Sequence, residues 1–126
     1  QGGLVYVPHP YDPMRRNISE ASLHEITELG LVDAIEVHNS KTSLQSLNAK
    51  AKSFAAHRDL AMGSGSDAHV PHALGSAYVE MEPFDGAQDF LVKLRAGHVV
   101  GHHWDKARPW SARIVPSVSS DSIKPS

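Results

Sequence analysis

An α/β chain with a mainly parallel sheet, open or barrel-like, is predicted by two features of the sequence. Short runs rich in β-formers alternate with amphipathic stretches in the order β, α, β, α, β and then β, α, β, a pattern that implies right-handed crossovers. Polar, metal-capable residues follow each of the first three β runs, and such folds collect their functional loops at that end of the strands.

Leu4 to Val7 is the first β run, stopped by Pro8-His9-Pro10. Ser19 is placed to cap a helix carrying Leu23, Ile26 and Leu29, with Gly30 as its stop signal. Asp33 to His38 resumes an extended pattern. Leu44, Leu47, Ala51, Phe54 and Ala55 then repeat at helical spacing and mark the clearest helix in the chain. Leu60 to Gly63 reads as a strand entering the loop Ser64 to His69, and Tyr78 to Glu82 as another. Asp85 with Gln88 three residues on suggests a variant capping box for a helix whose apolar stripe is Ala87, Phe90, Leu91 and Leu94. Gly97 ends that helix, and His98 to Gly101 is the last predicted strand. Residues 1–101 are read as one unit, followed by an extended, partly disordered tail over 102–126 that is rich in Ser, Pro and isolated charges.

With 126 residues, 40% of them hydrophobic, the chain is long enough for one core without disulfides or a structural metal. A formal charge of −2 argues against an extended nucleic-acid surface. No apolar run is long enough to span a bilayer, and the chain reads as soluble and cytoplasmic. Cysteine is absent while histidine occurs nine times, so imidazole and carboxylate are the strong ligand types on offer. The chain opens at Gln1 almost directly on a strand, which suggests a fragment of a longer protein.

His9 follows the first strand between two prolines, and Pro10 restricts its backbone, which suits a ligand as well as a packed loop histidine. Glu36 stands in an otherwise apolar strand and needs a cation, a hydrogen-bonding partner or an edge facing water. Asp67 and His69 are two apart, so an extended segment would present both on one face, for a shared cation or simply as a cap and a loop histidine. Arg15, Arg16 and Lys41 lie in the loops after the first two strands, where a guanidinium fork or an ammonium could meet a phosphate. His98, His102 and His103 read as surface groups. No phosphate-cradling glycine loop, dinucleotide fingerprint or serine nucleophile elbow is present.

The succession "GGLVYVPHP", "DAIEVHNSK", "GSGSDAH" and "LGSAYVEME" resembles the C-terminal half of the PHP (polymerase and histidinol phosphatase) domain, a family of metal-dependent phosphoesterases. The resemblance runs from about Gly2 to Gly101. It implies the C-terminal part of a distorted seven-stranded (β/α) TIM-like barrel with up to three divalent metals, zinc, manganese or iron, at its rim. His9 then corresponds to the histidine of the HP motif and Asp67 and His69 to the D-x-H pair, all three metal ligands, with Asp67 and His69 the catalytic positions. Arg15 and Lys41 are assigned to substrate phosphate, and Glu36, His38 and Asn39 to the groups behind the ligands. His38 departs from the family, which has an apolar, aromatic or Asn residue there.

The family's N-terminal H-x-H and its further His, Asp and Glu ligands are not in this sequence, so these residues supply about one ligand to each metal. What the resemblance implies is a phosphoesterase acting on a small phosphorylated substrate, nucleotides included, with the isolated fragment inactive. A non-catalytic PHP-like scaffold and a metal-dependent amidohydrolase are the alternatives. Half a barrel leaves strand edges open, and a homodimer is one way to hide them.

Overall fold

The structure, a computed structural model, describes residues 1–103; the remainder of the predicted tail lies outside the described residues. Strands β1 (Tyr6–Val7), β2 (Ala34–Asn39) and β3 (Ala61–Gly65) form a parallel sheet in the order β1-β2-β3. Helix α1 (Glu20–Glu28) connects the first pair and α2 (Gln45–His57) the second. The predicted α/β class and the parallel order of the first three strands therefore hold, in an open sheet with no closed barrel among the described residues.

Local chemistry accounts for the element boundaries. The Ser19 side chain accepts from the backbone N–H of Ser22, as a capping serine should. At the other end Gly30 adopts φ 67, its N–H donates to Thr27 O, and the N–H of Leu31 reaches Ile26 O at 2.9 Å. That pair of bonds is a Schellman motif, and the left-handed conformation it needs is why glycine stands there.

The central strand β2 is buried on both faces, as expected of a parallel strand between helical layers. Ile35 and Val37 point into a cluster with Val7, Leu23, Val32, Phe54, Ala55 and Leu60, which covers the α1 and α2 side. Ala34 and Ala61 face the other way, against Leu94, and their small side chains let α3 (Gly86–Ala96) approach closely.

Three expectations need correction. Strands β4 (Ala77–Glu80) and β5 (His98–Gly101) pair antiparallel, and they form a sheet of their own, although α3 lies between them. The cause is the single-residue link Gly97: the chain re-enters beside the end of β4 that it left, pairing His98 with Glu80, so β5 must run back along β4. The Asp85 side chain does not cap α3; its backbone N–H instead donates to Asp89 Oδ2 at 3.0 Å, so Gln88 is not the reciprocal partner. The first strand is shorter than Leu4–Val7, since the Asp33 carboxylate takes the Val5 N–H before the ladder begins at Tyr6.

Gly63 on β3 has no room for a side chain, because a methyl group there would run into the Tyr6 ring. Tyr6 on β1 shares that face of the sheet and reaches across β2, with its hydroxyl end over this glycine. Gly63→Ala is expected to cost about 1–3 kcal/mol by overpacking, read as a lower urea midpoint at unchanged slope.

Candidate functional site

The C-terminal ends of the three parallel strands converge on one rim, and Glu36 is its hub. The carboxylate is buried, and β2 is the central strand, so the water-facing edge alternative is excluded. Glu36 Oε2 accepts from the His9 N–H at 2.7 Å and from Asn39 Nδ2 at 2.9 Å. Its other oxygen occupies the space above Gly65, where any β-carbon would collide with it.

Residues 36 and 39 are three apart, so in a regular strand they would face opposite sides. A register shift between Glu36 and His38 inserts one extra residue of β2 against β3 and brings them together. Asn39 is then locked from behind: its N–H donates to Asn48 Oδ1 at 3.0 Å and its carbonyl accepts from Asn48 Nδ2 at 3.1 Å. Asn39 Oδ1 accepts in turn from the Lys41 N–H.

His9 adopts φ 27, in the left-handed region, where the restriction from Pro10 predicts an extended backbone. The Glu36 hydrogen bond to its N–H compensates for that conformation. His9 Nδ1 is buried and has no hydrogen-bond partner among the described residues.

Asp67 and His69 do meet, but not through a strand pleat. Asp67 sits at φ 51 in the loop after β3, and this turn folds the His69 ring back so that Nδ1 lies 2.7 Å from the Asp67 carbonyl and 3.6 Å from its Oδ1. The same Nδ1 lies 3.0 Å from Lys41 Nζ. One ring nitrogen can donate to the carbonyl or accept from the ammonium, not both, so each tautomer has one of these partners. Arg15 Nη1 approaches Asp67 Oδ2 to 2.5 Å, an ion pair without hydrogen-bond alignment.

Asp12, which the sequence reading did not single out, anchors this side of the rim. It is 2% exposed, accepts from the Met14 N–H and the Ser43 hydroxyl at 3.0 and 3.2 Å, and lies 4.0 Å from Arg15 Nε. Asn48 was missed as well, although a polar residue inside the apolar face of α2 is a visible signal.

The predicted residues thus fall into two linked groups. His9, Glu36, Asn39 and Lys41 form one, Asp67, His69 and Arg15 the other, and the Lys41–His69 contact joins them. His38 belongs to neither: its Nε2 is buried with no hydrogen-bond partner among the described residues, and its ring packs so closely on Gly101 of β5 that a β-carbon there would collide with it. His98, His102 and His103 are exposed, as expected.

Among the described residues no three His, Asp or Glu side chains come together as a metal site. The donors nonetheless suit a share of one: His9 Nδ1 and Asp67 Oδ2 are buried and lack hydrogen bonds among the described residues, and they are borderline and hard ligands respectively. Tyr6, over Gly63, has its phenol pushed far above its usual range by burial and then by the Glu36 charge, which keeps the hydroxyl protonated.

Burial pushes the His38 imidazole below its usual range; the His102 backbone and the Glu36 charge act against that shift, and the imidazoles of His102 and His103 act with it. The unfolded chain therefore binds the His38 proton more readily than the folded one, and His38 subtracts stability as pH falls below about 6.5. Melting temperatures from pH 8 down to pH 5 should fall less steeply for His38→Gln than for the unaltered chain. Parallel curves would remove His38 from the acid sensitivity.

Residues 45–99 match the family model described as PHP-associated. An uncharacterized protein of Methanocaldococcus jannaschii is 40% identical over 82 residues, which covers 64% of this chain and 35% of that protein. The chain spans about a third of the length of that relative. No solved structure matches. The matched segment contains Asp67 and His69 and the whole of α2, β3, β4 and α3, while His9, Arg15, Glu36 and Lys41 precede it. The match over residues 45–99 is consistent with a PHP-domain C-terminal region, the resemblance that the motifs carry.

Proposed function

We propose that the protein is a metal-dependent phosphoesterase in which these residues form part of a larger β/α barrel. The observation that carries this reading is the meeting of two kinds of chemistry on one rim. Ligand-type groups without hydrogen bonds among the described residues, His9 Nδ1 and Asp67 Oδ2, share the rim with the cations Arg15, which meets Asp67, and Lys41, which meets His69. A divalent metal would activate water and neutralise charge on phosphoryl oxygens.

His9, Asp67 and His69 would hold metal together with ligands from the rest of the protein, in line with the expectation of about one ligand per metal from this segment. With Nδ1–H donated to the Asp67 carbonyl, the His69 Nε2 lone pair is left available, the arrangement common for ligating histidines. Arg15 and Lys41 would hold the phosphate of a small substrate, a nucleotide or a phosphorylated metabolite. Glu36 and Asn39 set the His9 loop in place. His38, packed against Gly101, acts structurally.

In the full-length protein Asp67→Ala is expected to lower phosphomonoester hydrolysis by at least about a hundredfold, and to lower bound metal in parallel, with the circular dichroism spectrum unchanged. Undiminished turnover by the variant would sink the assignment. Loss of metal from a protein that never hydrolyses phosphate or amide substrates would point to the scaffold reading.

A further inference from the structure

Each of the two ligand-type side chains in the loop after β3 is met by one of the two cations assigned to phosphate. Arg15 Nη1 lies 2.5 Å from Asp67 Oδ2, and Lys41 Nζ lies 3.0 Å from His69 Nδ1. The pairing crosses between loops: Arg15 comes from the loop after β1, Lys41 from the loop after β2, and both partners from the loop after β3.

We propose that Arg15 and Lys41 compete with a divalent cation for Asp67 and His69, so that cation binding at these two residues releases the guanidinium and the ammonium to a phosphate group. This deepens the metal-dependent reading above and rests on it.

Three features of the rim support the exchange. The Arg15–Asp67 pair is close but poorly aligned for a hydrogen bond, so the carboxylate oxygen retains lone-pair capacity for a cation. Arg15 has a second carboxylate within reach, because the buried Asp12 lies 4.0 Å from its Nε and keeps the side chain at the rim when Asp67 is engaged elsewhere.

The third feature is the His69 tautomer. A cation on Nε2 requires the ring proton on Nδ1, and that proton is directed to the Asp67 carbonyl at 2.7 Å. In that tautomer Nδ1 can no longer accept from Lys41, so cation binding at one ring nitrogen dismisses the ammonium at the other. The coupling is reciprocal, since phosphate that draws Arg15 and Lys41 away leaves Asp67 and His69 open to metal.

The test is calorimetric titration of the full-length protein with manganese chloride, phosphate absent, comparing the unaltered chain with Arg15→Met, Lys41→Met and Arg16→Met. Competition predicts that the first two bind Mn²⁺ about three- to tenfold more tightly, while Arg16→Met, which removes an exposed charge from the same loop, does not. Lys41→Met removes only a contact to a largely exposed histidine and should fold even if Arg15→Met does not. Unchanged or weaker binding in both variants, or equal tightening in all three, overturns the exchange and leaves the metal reading intact. An absence of Mn²⁺ binding in every chain, the unaltered one included, overturns both.

Discussion

A buried carboxylate in the middle of the central strand is the constraint around which the rim is organised. Among the described residues no ammonium or guanidinium is bonded to Glu36; what satisfies it is one backbone N–H and one side-chain amide. Hydrogen bonds to a charged acceptor are each worth about 1.5–3 kcal/mol, enough to hold the preceding loop in a backbone conformation that Pro10 alone would not favour. The same carboxylate dictates glycine at position 65, because its second oxygen fills the volume of a β-carbon. One side chain therefore ties the ends of β1, β2 and β3 to a common geometry.

From that hub the rim is built by bonds within each loop, such as Met14 N–H to Asp12, and by side chains that cross between loops. Asp12 reaches the Ser43 hydroxyl, Arg15 reaches Asp67, and Lys41 reaches His69. Parallel strands make this possible, since all three loops leave the sheet at the same end. The antiparallel pair β4–β5 plays a different part. It supports the opposite end of the sheet through α3 and supplies Gly101 as the surface against which His38 packs.

Much of this was legible in the residues. The positions 44, 47, 51, 54 and 55 mark α2, Ser19 and Gly30 bracket α1, and the polar residues after each β run mark the rim. What could not be read was geometry that arises from pairing. The register shift between Glu36 and His38 leaves no compositional trace, yet without it Asn39 would face away from Glu36. The Asp67 turn is similar: an extended reading also puts Asp67 and His69 on one side, but for a reason that the positive φ replaces. The direction of β5 depended on one glycine link, too short a feature for the alternation of elements to reveal.

The placement of the family match adds a further step. Residues 45–99 carry Asp67 and His69, but the side chains in contact with those two, Arg15 and Lys41, come from the segment before it. Even the backbone of β3 is shaped by that segment, because Gly63 and Gly65 are required by Tyr6 and Glu36. The matched segment is therefore not self-contained at this rim. Its glycines record the side chains of the two preceding strands, and its ligand-type residues are oriented by cations from their loops, so the chemistry of the rim belongs to the three strands as a unit.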